Sequence, residues 1–365
     1  MKILYVGVLL NPKIVSKYYG VSNATNNWQY EFIKSINDIN NSVSVISYIS
    51  EKTWPFGKLF PKIELKDLEG LNIIDTFTYL NIYYLREFFL YYKIKKIILK
   101  YIKNNSFDFM ITFNSLIRNK LITNFVKSKL GKTTISITGD GQICDLSDIS
   151  IIQNYNSFLN CRKKYKYFYQ GGIPKYNSNN ITTSPINLIF TGTITKLTGI
   201  EKFAEQFGEL KIPGIELHIY GKGDFNKLYS LEKQYNNIFI HGYVSILELE
   251  NAMLNAFAFV NPRDDKEESN QNTFPSKLLE YISYGKPILS TFSNSLDEEF
   301  NNLLLLYNPY NLMSLKEQLN NIKLMNLNEL IFHKKKLEIF TIKNSWKQKT
   351  NNLLIFLENY MLNSK

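Results

Sequence analysis

The densest chemistry in the chain lies in Phe274-Pro275-Ser276-Lys277-Leu278-Leu279-Glu280-Tyr281-Ile282-Ser283-Tyr284-Gly285-Lys286-Pro287-Ile288. Proline near a helix start, glycine near its end and a second proline ahead of an apolar run read as loop, short helix and buried strand. A helix opening at Pro275-Ser276 offers unpaired backbone N–H groups and a positive dipole end, and Ser276 and Lys277 add a hydroxyl and a cation. That set suits a diphosphate. Glu280, one turn further on, could accept hydrogen bonds from the two vicinal hydroxyls of a ribose. Each residue also has a plain structural reading, Ser276 as a helix cap and Glu280 as the partner of a nearby lysine.

Phe-Pro-Ser-Lys-x-x-Glu-Tyr followed by Gly-Lys-Pro resembles the donor-site signature of the retaining GT-B enzymes of glycosyltransferase family 4, the glycosyl transferases group 1. Further landmarks stand in that family's order. Phe190-Thr191-Gly192-Thr193-Ile194 with Lys196 and Gly199 resembles its first C-terminal strand, loop and helix. Ile219-Tyr220-Gly221-Lys222-Gly223 and Ile240-His241-Gly242-Tyr243-Val244 resemble the next two strand ends, each a weak signal alone and more specific as an ordered set.

The resemblance implies a GT-B fold, two doubly wound Rossmann-like α/β domains facing across a cleft. It also implies transfer of a sugar from a UDP- or GDP-sugar to a glycan or lipid-linked acceptor, with retention, in surface-polysaccharide or glycoconjugate synthesis. The family's first C-terminal loop supplies an Arg and a Lys to the donor pyrophosphate, where cations offset the charge growing on the leaving group. Here those places hold Thr193 and Thr198, which leaves Lys196 as the loop's cation. The family's Glu-x7-Glu is also broken: Asn272 stands eight residues before Glu280, and its amide can bond a sugar hydroxyl without carrying a charge. Arg263, after the strand expected at Ala258 to Asn261, is a compensating phosphate contact or a solvated rim residue.

In the first half, Tyr19-Gly20-Val21-Ser22-Asn23 fits the glycine loop that approaches the donor, or an ordinary surface turn. Thr138-Gly139-Asp140-Gly141 follows an apolar strand, so Asp140 either orients the acceptor hydroxyl or serves as a turn residue. The donor set implied is therefore Gly20, Gly192, Lys196, Gly221, Tyr243, Arg263, Asn272, Thr273, Phe274, Ser276, Lys277 and Glu280, with Asp140, Lys196 and Asn272 as the catalytic residues. No cofactor beyond the nucleotide-sugar co-substrate is expected, and no metal, because Asp264-Asp265 lacks Asp-x-Asp spacing. Two other readings stay open: a catalytically inactive GT-B homologue acting as a binding subunit, and a nucleotide-sugar epimerase, against which the lack of well-placed acid/base groups counts.

The elements that must position these residues follow the α/β rhythm. A chain of 365 residues, 44% hydrophobic and 21% charged, has the size of two domains and the composition of a packed globular protein. Strands are expected at Ile3 to Leu10, Ser42 to Ile49, Asn72 to Thr78, Phe107 to Phe113 and Thr133 to Thr138, with a long helix from Tyr79 to Lys103. The second half repeats the pattern from Ile186 onward. The expected domains are 1–175, the acceptor side, and 185–340, the donor side, joined by the polar run Lys175 to Pro185. A final helix at about 344–362, containing Trp346, is expected to pack back on the first.

Met1 to Leu10 has the apolar character of a signal segment, but a single Lys precedes it and Asn11-Pro12-Lys13 ends it, so it reads as a buried strand. Cys144 and Cys161 form no Cys-x-x-Cys pair, and His218, His241 and His333 lie far from both, which excludes a disulfide framework or zinc site from the reading. The net charge of +11 comes from lysines spread along the chain without a nucleic-acid motif. A phosphate-bearing substrate or an anionic membrane surface explains it instead. A cytoplasmic protein is expected. The aromatic and basic stretch Tyr79 to Lys103 either lies on a membrane or an acceptor, or forms a helix that packs its apolar side on the sheet and solvates its lysines.

Overall fold

Apolar runs covered on both faces become parallel strands, and each needs a crossover helix to reach its neighbour. The computed structural model describes residues 1–365 other than 19, 20, 40, 65–67, 69, 140–142, 175–180, 272, 364 and 365. Its first sheet takes β1 (Lys2–Gly7), β2 (Ser42–Ser47), β3 (Ile73–Thr76), β4 (Phe109–Phe113), β5 (Thr133–Thr138), β6 (Ile149–Ile152) and β7 (Lys166–Phe168) in the order β3-β2-β1-β4-β5-β6-β7. The second takes β8 (Ile186–Ile194), β9 (Ile215–Gly223), β10 (Ile238–Gly242), β11 (Ala258–Asn261), β12 (Ile288–Thr291) and β13 (Leu305–Tyr307) in the order β10-β9-β8-β11-β12-β13. All these neighbours pair in parallel. In both sheets the order runs outward from the first strand and then restarts on its other side. Topological switch points therefore lie between β1 and β4 and between β8 and β11, where doubly wound folds bind ligands.

The chain divides into two compact units, Met1–Gly172 with Trp346–Lys365, and Ile173–Ser345. Ile173 belongs to the second, its N–H donating to Asn344 O at 2.9 Å. Of the polar run at 175–185, residues 175–180 lie outside the described residues. The final helix, Trp346–Asn363, completes the first core. The Trp346 ring centroid stands 5.9 Å from that of Trp28, Thr350 Oγ1 lies 2.7 Å from Ser35 Oγ and 3.1 Å from Tyr169 Oη, and Leu353 and Leu357 are buried.

The expected helix from Tyr79 to Lys103 is shorter, Arg86–Tyr101. The residues ahead of it anchor a loop instead. Asn81 is buried, and its Nδ2 donates to Lys52 O at 2.7 Å and Lys58 O at 3.0 Å, bonds that hold the chain there out of a helical path. The helix start is fixed by Glu87, which takes two 2.9 Å hydrogen bonds from Arg118. Burial pushes the Glu87 carboxyl up, but the Arg118 charge and hydrogen bonds prevail and hold it below the usual range.

Trp346→Ala is expected to destabilise the first unit by about 3 kcal/mol, the cost of deleting a packed aromatic anchor. Urea unfolding followed by circular dichroism would show it as a lowered midpoint; an unchanged midpoint would mean that the final helix is not part of that core.

Candidate functional site

The residues that the sequence singled out in the second unit fall at the carboxyl edge of its sheet. Gly192 lies within β8, which runs to Ile194, and β9 likewise continues to Gly223. Gly192 pairs with Gly221. Gly221 has φ +151°, and a Cβ there would stand 1.7 Å from the Gly192 carbonyl oxygen. The close approach of two strands therefore requires this glycine whatever else it does. Tyr243, after β10, is exposed, with Lys222 Nζ 3.6 Å from its ring centroid.

Two loops flank the switch point, one after β8 and one after β11. In the first, Lys196 opens a 3-10 turn, Lys196–Thr198, and its exposed ammonium pairs with Glu267 at 3.0 Å. Thr198, at the family's lysine place, turns back to donate to Thr195 O at 2.8 Å and closes the turn. In the second, Arg263 donates through Nη2 to Asn270 Oδ1 at 2.7 Å and Thr273 Oγ1 at 2.6 Å, and through Nε to Asn270 Oδ1 at 3.2 Å. Asn270 is buried and its Nδ2 donates to Leu197 O at 2.9 Å and Asp264 O at 3.0 Å. One amide thus joins the Lys196 loop to the Arg263 loop.

The short helix Lys277–Ser283 follows at once. Ser276 precedes it without a side-chain cap bond, and Lys277 Nζ pairs with Glu280 Oε2 at 2.5 Å, the structural partnership that the sequence left open. Phe274 points into the core against Phe300, so its backbone is the part left for a ligand. Tyr281, which sequence reasoning passed over although it stands inside the motif, ties the helix to β8. Its hydroxyl accepts Thr191 N–H at 2.9 Å and lies 3.2 Å from Thr191 O, and its ring stacks on Phe259 at 4.4 Å. Burial pushes the Tyr281 hydroxyl well above its usual range and keeps it a neutral hydrogen-bonding group.

The structure thus brings Lys196, Arg263 and Thr273 into one network and sets Gly192, Gly221 and the helix bearing Glu280 beside the same strand ends. Gly20, Asp140 and Asn272 lie outside the described residues. A cavity of about 370 Å³ borders Lys196, Gly199, Pro262, Asp264 and Glu267, within the range of small-molecule sites. Glu280 is not among its walls.

Asn270→Ala would take a donor from the carbonyls of Leu197 and Asp264 and from Arg263 its main acceptor. It is expected to cost about 1–3 kcal/mol in urea unfolding and to loosen both loops. A second expectation concerns Lys286, whose Nζ donates to Thr182 Oγ1 at 3.0 Å. Burial, with Lys334 nearby, brings its ammonium from 10.5 down to about 8. Between those values the unfolded chain holds a proton that the folded one has shed, so stability rises with pH across that window. Lys286→Met is expected to abolish the rise between about pH 8 and 10 in denaturation midpoints.

Residues 185–322 match the family model of glycosyl transferases group 1. No curated protein sequence matches the chain. Among solved structures, the apo form of the lipopolysaccharide outer core galactosyltransferase WaaB superposes with a TM-score of 0.68 at 16% identity, over 99% of this chain and 100% of that one. AviGT4, a glycosyltransferase involved in avilamycin A biosynthesis, gives 0.61 at 10% identity, over 99% and 98%. The trehalose-6-phosphate synthase OtsA gives 0.66 at 11% identity, over 98% and 99%. The two parallel-sheet α/β units are therefore those of the GT-B fold, and the family match falls on the second.

Proposed function

We propose that this protein transfers a sugar from a UDP- or GDP-sugar to a glycan or lipid-linked acceptor, with retention, in surface-polysaccharide or glycoconjugate synthesis. The observation that carries the reading is the joined pair of cationic loops at the β8/β11 switch point, inside the segment that matches a glycosyltransferase family. Lys196 and Arg263 stand on opposite sides of that point and serve the donor diphosphate. A diphosphate offers Lys196 more charge than the single carboxylate of Glu267 does, so the exposed 3.0 Å pair is an exchangeable one. Glu280, half-exposed beside Lys277, turns to the ribose hydroxyls, while Lys277 and Ser276 remain for phosphate. Gly192, Gly221, Tyr243, Thr273 and the backbone of Phe274 complete the donor contacts, and Gly20, Asp140 and Asn272 keep the roles their positions in the sequence imply.

In the reaction the bond from the anomeric carbon to the diphosphate oxygen breaks and a bond to the acceptor oxygen forms on the same face. The acceptor proton passes to the departing phosphate. The chain's part is to neutralise that leaving group with fixed cations, which lowers the barrier because they are held in place before charge develops. No cofactor or metal enters the proposal, since Asp264 takes the Tyr310 hydroxyl and Asp265 takes Ser293 Oγ and Asn294 N–H. In this reading the protein works in the cytoplasm, on the inner face of a membrane, where lipid-linked acceptors are met.

A thermal-shift screen with UDP, GDP and their sugars tests the donor site. One nucleotide class is expected to raise the midpoint, and Glu280→Ala or Lys196→Ala to weaken its binding by about tenfold or more, the loss of one charge-assisted contact. No shift with the unaltered protein, or a full shift in both variants, would refute the assignment.

A further inference from the structure

Aromatic side chains belong in cores, and a cluster of them in solvent on a protein whose cores are already filled calls for a partner. The first unit carries such a cluster. Trp54, Phe56 and Phe60, on the loop 52–62, are 54%, 83% and 59% exposed. Tyr83, Tyr84 and Phe88, at the entry to the helix Arg86–Tyr101, are 66%, 82% and 62% exposed. The two groups are fastened together: Trp54 N–H donates to Asn81 O at 2.9 Å, Asn81 N–H donates to Leu59 O at 2.8 Å, and the buried Asn81 amide holds Lys52 O and Lys58 O.

The helix itself has two apolar sides. Leu90, Ile94, Ile97 and Ile98 face the sheet and are buried. On the other side Tyr92 and Leu99 stay in solvent among the exposed Lys93, Lys96 and Lys100. A helix that packs its apolar side on the sheet and solvates its lysines accounts for the buried residues and leaves the exposed Tyr92 and Leu99 to be explained. The charge on this face has one sign. Residues 52–63 contain no acid, and residues 83–100 contain Glu87 alone, whose carboxylate is turned to Arg118. Glu51, just ahead of the loop, is buried and accepts Lys58 N–H.

We infer that the loop 52–62 and the outer side of the helix Arg86–Tyr101 form a docking surface for an anionic lipid bilayer. Tyr and Trp rings suit the boundary between headgroups and acyl chains, and lysines around them meet anionic headgroups. A protein partner would demand acidic pockets matched to a scatter of long, exposed lysines, whereas a fluid anionic surface supplies charge wherever a lysine stands. Among the described residues no helix is long and apolar enough to cross a membrane, so the contact lies on the bilayer. The inference deepens the membrane placement in the proposed function and is independent of the transfer reaction.

Flotation of the full chain with vesicles of phosphatidylcholine alone, and with about 30 mol% phosphatidylglycerol, tests it. The chain is expected to float with the anionic vesicles and to be released by salt. Trp54 supplies a built-in probe, because the other two tryptophans, Trp28 and Trp346, pack in the first core. A blue shift of emission on vesicle addition is expected and should vanish in Trp54→Phe, which still floats. The triple variant Trp54→Ser, Phe56→Ser, Tyr84→Ser and the double variant Lys93→Glu, Lys96→Glu should each lose at least about tenfold in partitioning. All these positions are in solvent, so nucleotide-dependent thermal shifts should stay unchanged, and their loss would speak to the donor site alone. Absence of flotation, flotation of the triple variant like the parent, or a dimer that depends on Phe56 and Tyr84 without vesicle uptake would overturn the inference.

Discussion

One buried amide holds the second unit's loops in register. Asn270 accepts twice at Oδ1 from Arg263 and donates twice at Nδ2, to Leu197 O and Asp264 O, so its whole hydrogen-bonding capacity is used. A fully satisfied polar network in the interior is rigid, and a half-satisfied one is costly. The loop after β8 and the loop after β11 are thus fixed against each other across the switch point. Lys196 and Arg263, the two cations that flank the switch point, each belong to one of these loops. Tyr281 does the corresponding service for the helix that carries Glu280, by fastening it to the backbone of Thr191 one residue before Gly192.

The α/β alternation was legible in the sequence because strands of five or six apolar residues and helices of ten or more leave distinct periods. The strands β6, β7 and β13 escaped it; β7 and β13 have three residues each, too few to show a pattern. The helix after Tyr79 was overextended because its aromatic and basic residues keep helical spacing back to a point where Asn81 is already bound to a loop. Of the candidate site, the glycines and the Ser276 to Glu280 run were visible as motifs. Asn270 was not, since its role depends on a carbonyl 73 residues away and nothing in its neighbours announces that contact. The pairing of Glu267 with Lys196 was equally hidden, because it joins two loops far apart in the chain.

The two units divide the protein's surface chemistry. The second exposes paired charges, Lys196 with Glu267 and Lys277 with Glu280, which a strongly anionic ligand can replace at small cost because solvent already weakens them. The first exposes rings and lysines along a loop and a helix, a surface that water covers poorly. A transferase working between a soluble nucleotide sugar and an acceptor held in a lipid phase needs surfaces of both kinds.

In the proposed reaction the joined cationic loops drive the departure of a nucleoside diphosphate. Incubation of the purified protein with UDP- and GDP-sugars, with the free nucleoside diphosphate followed over time, reads that step itself. Release above the uncatalysed rate from one donor class, lost in Glu280→Ala and Arg263→Ala, is the predicted result. Tight binding of the same donors with no release, with vesicles or acceptor glycans present or absent, would contradict it and leave a GT-B protein that binds without catalysing.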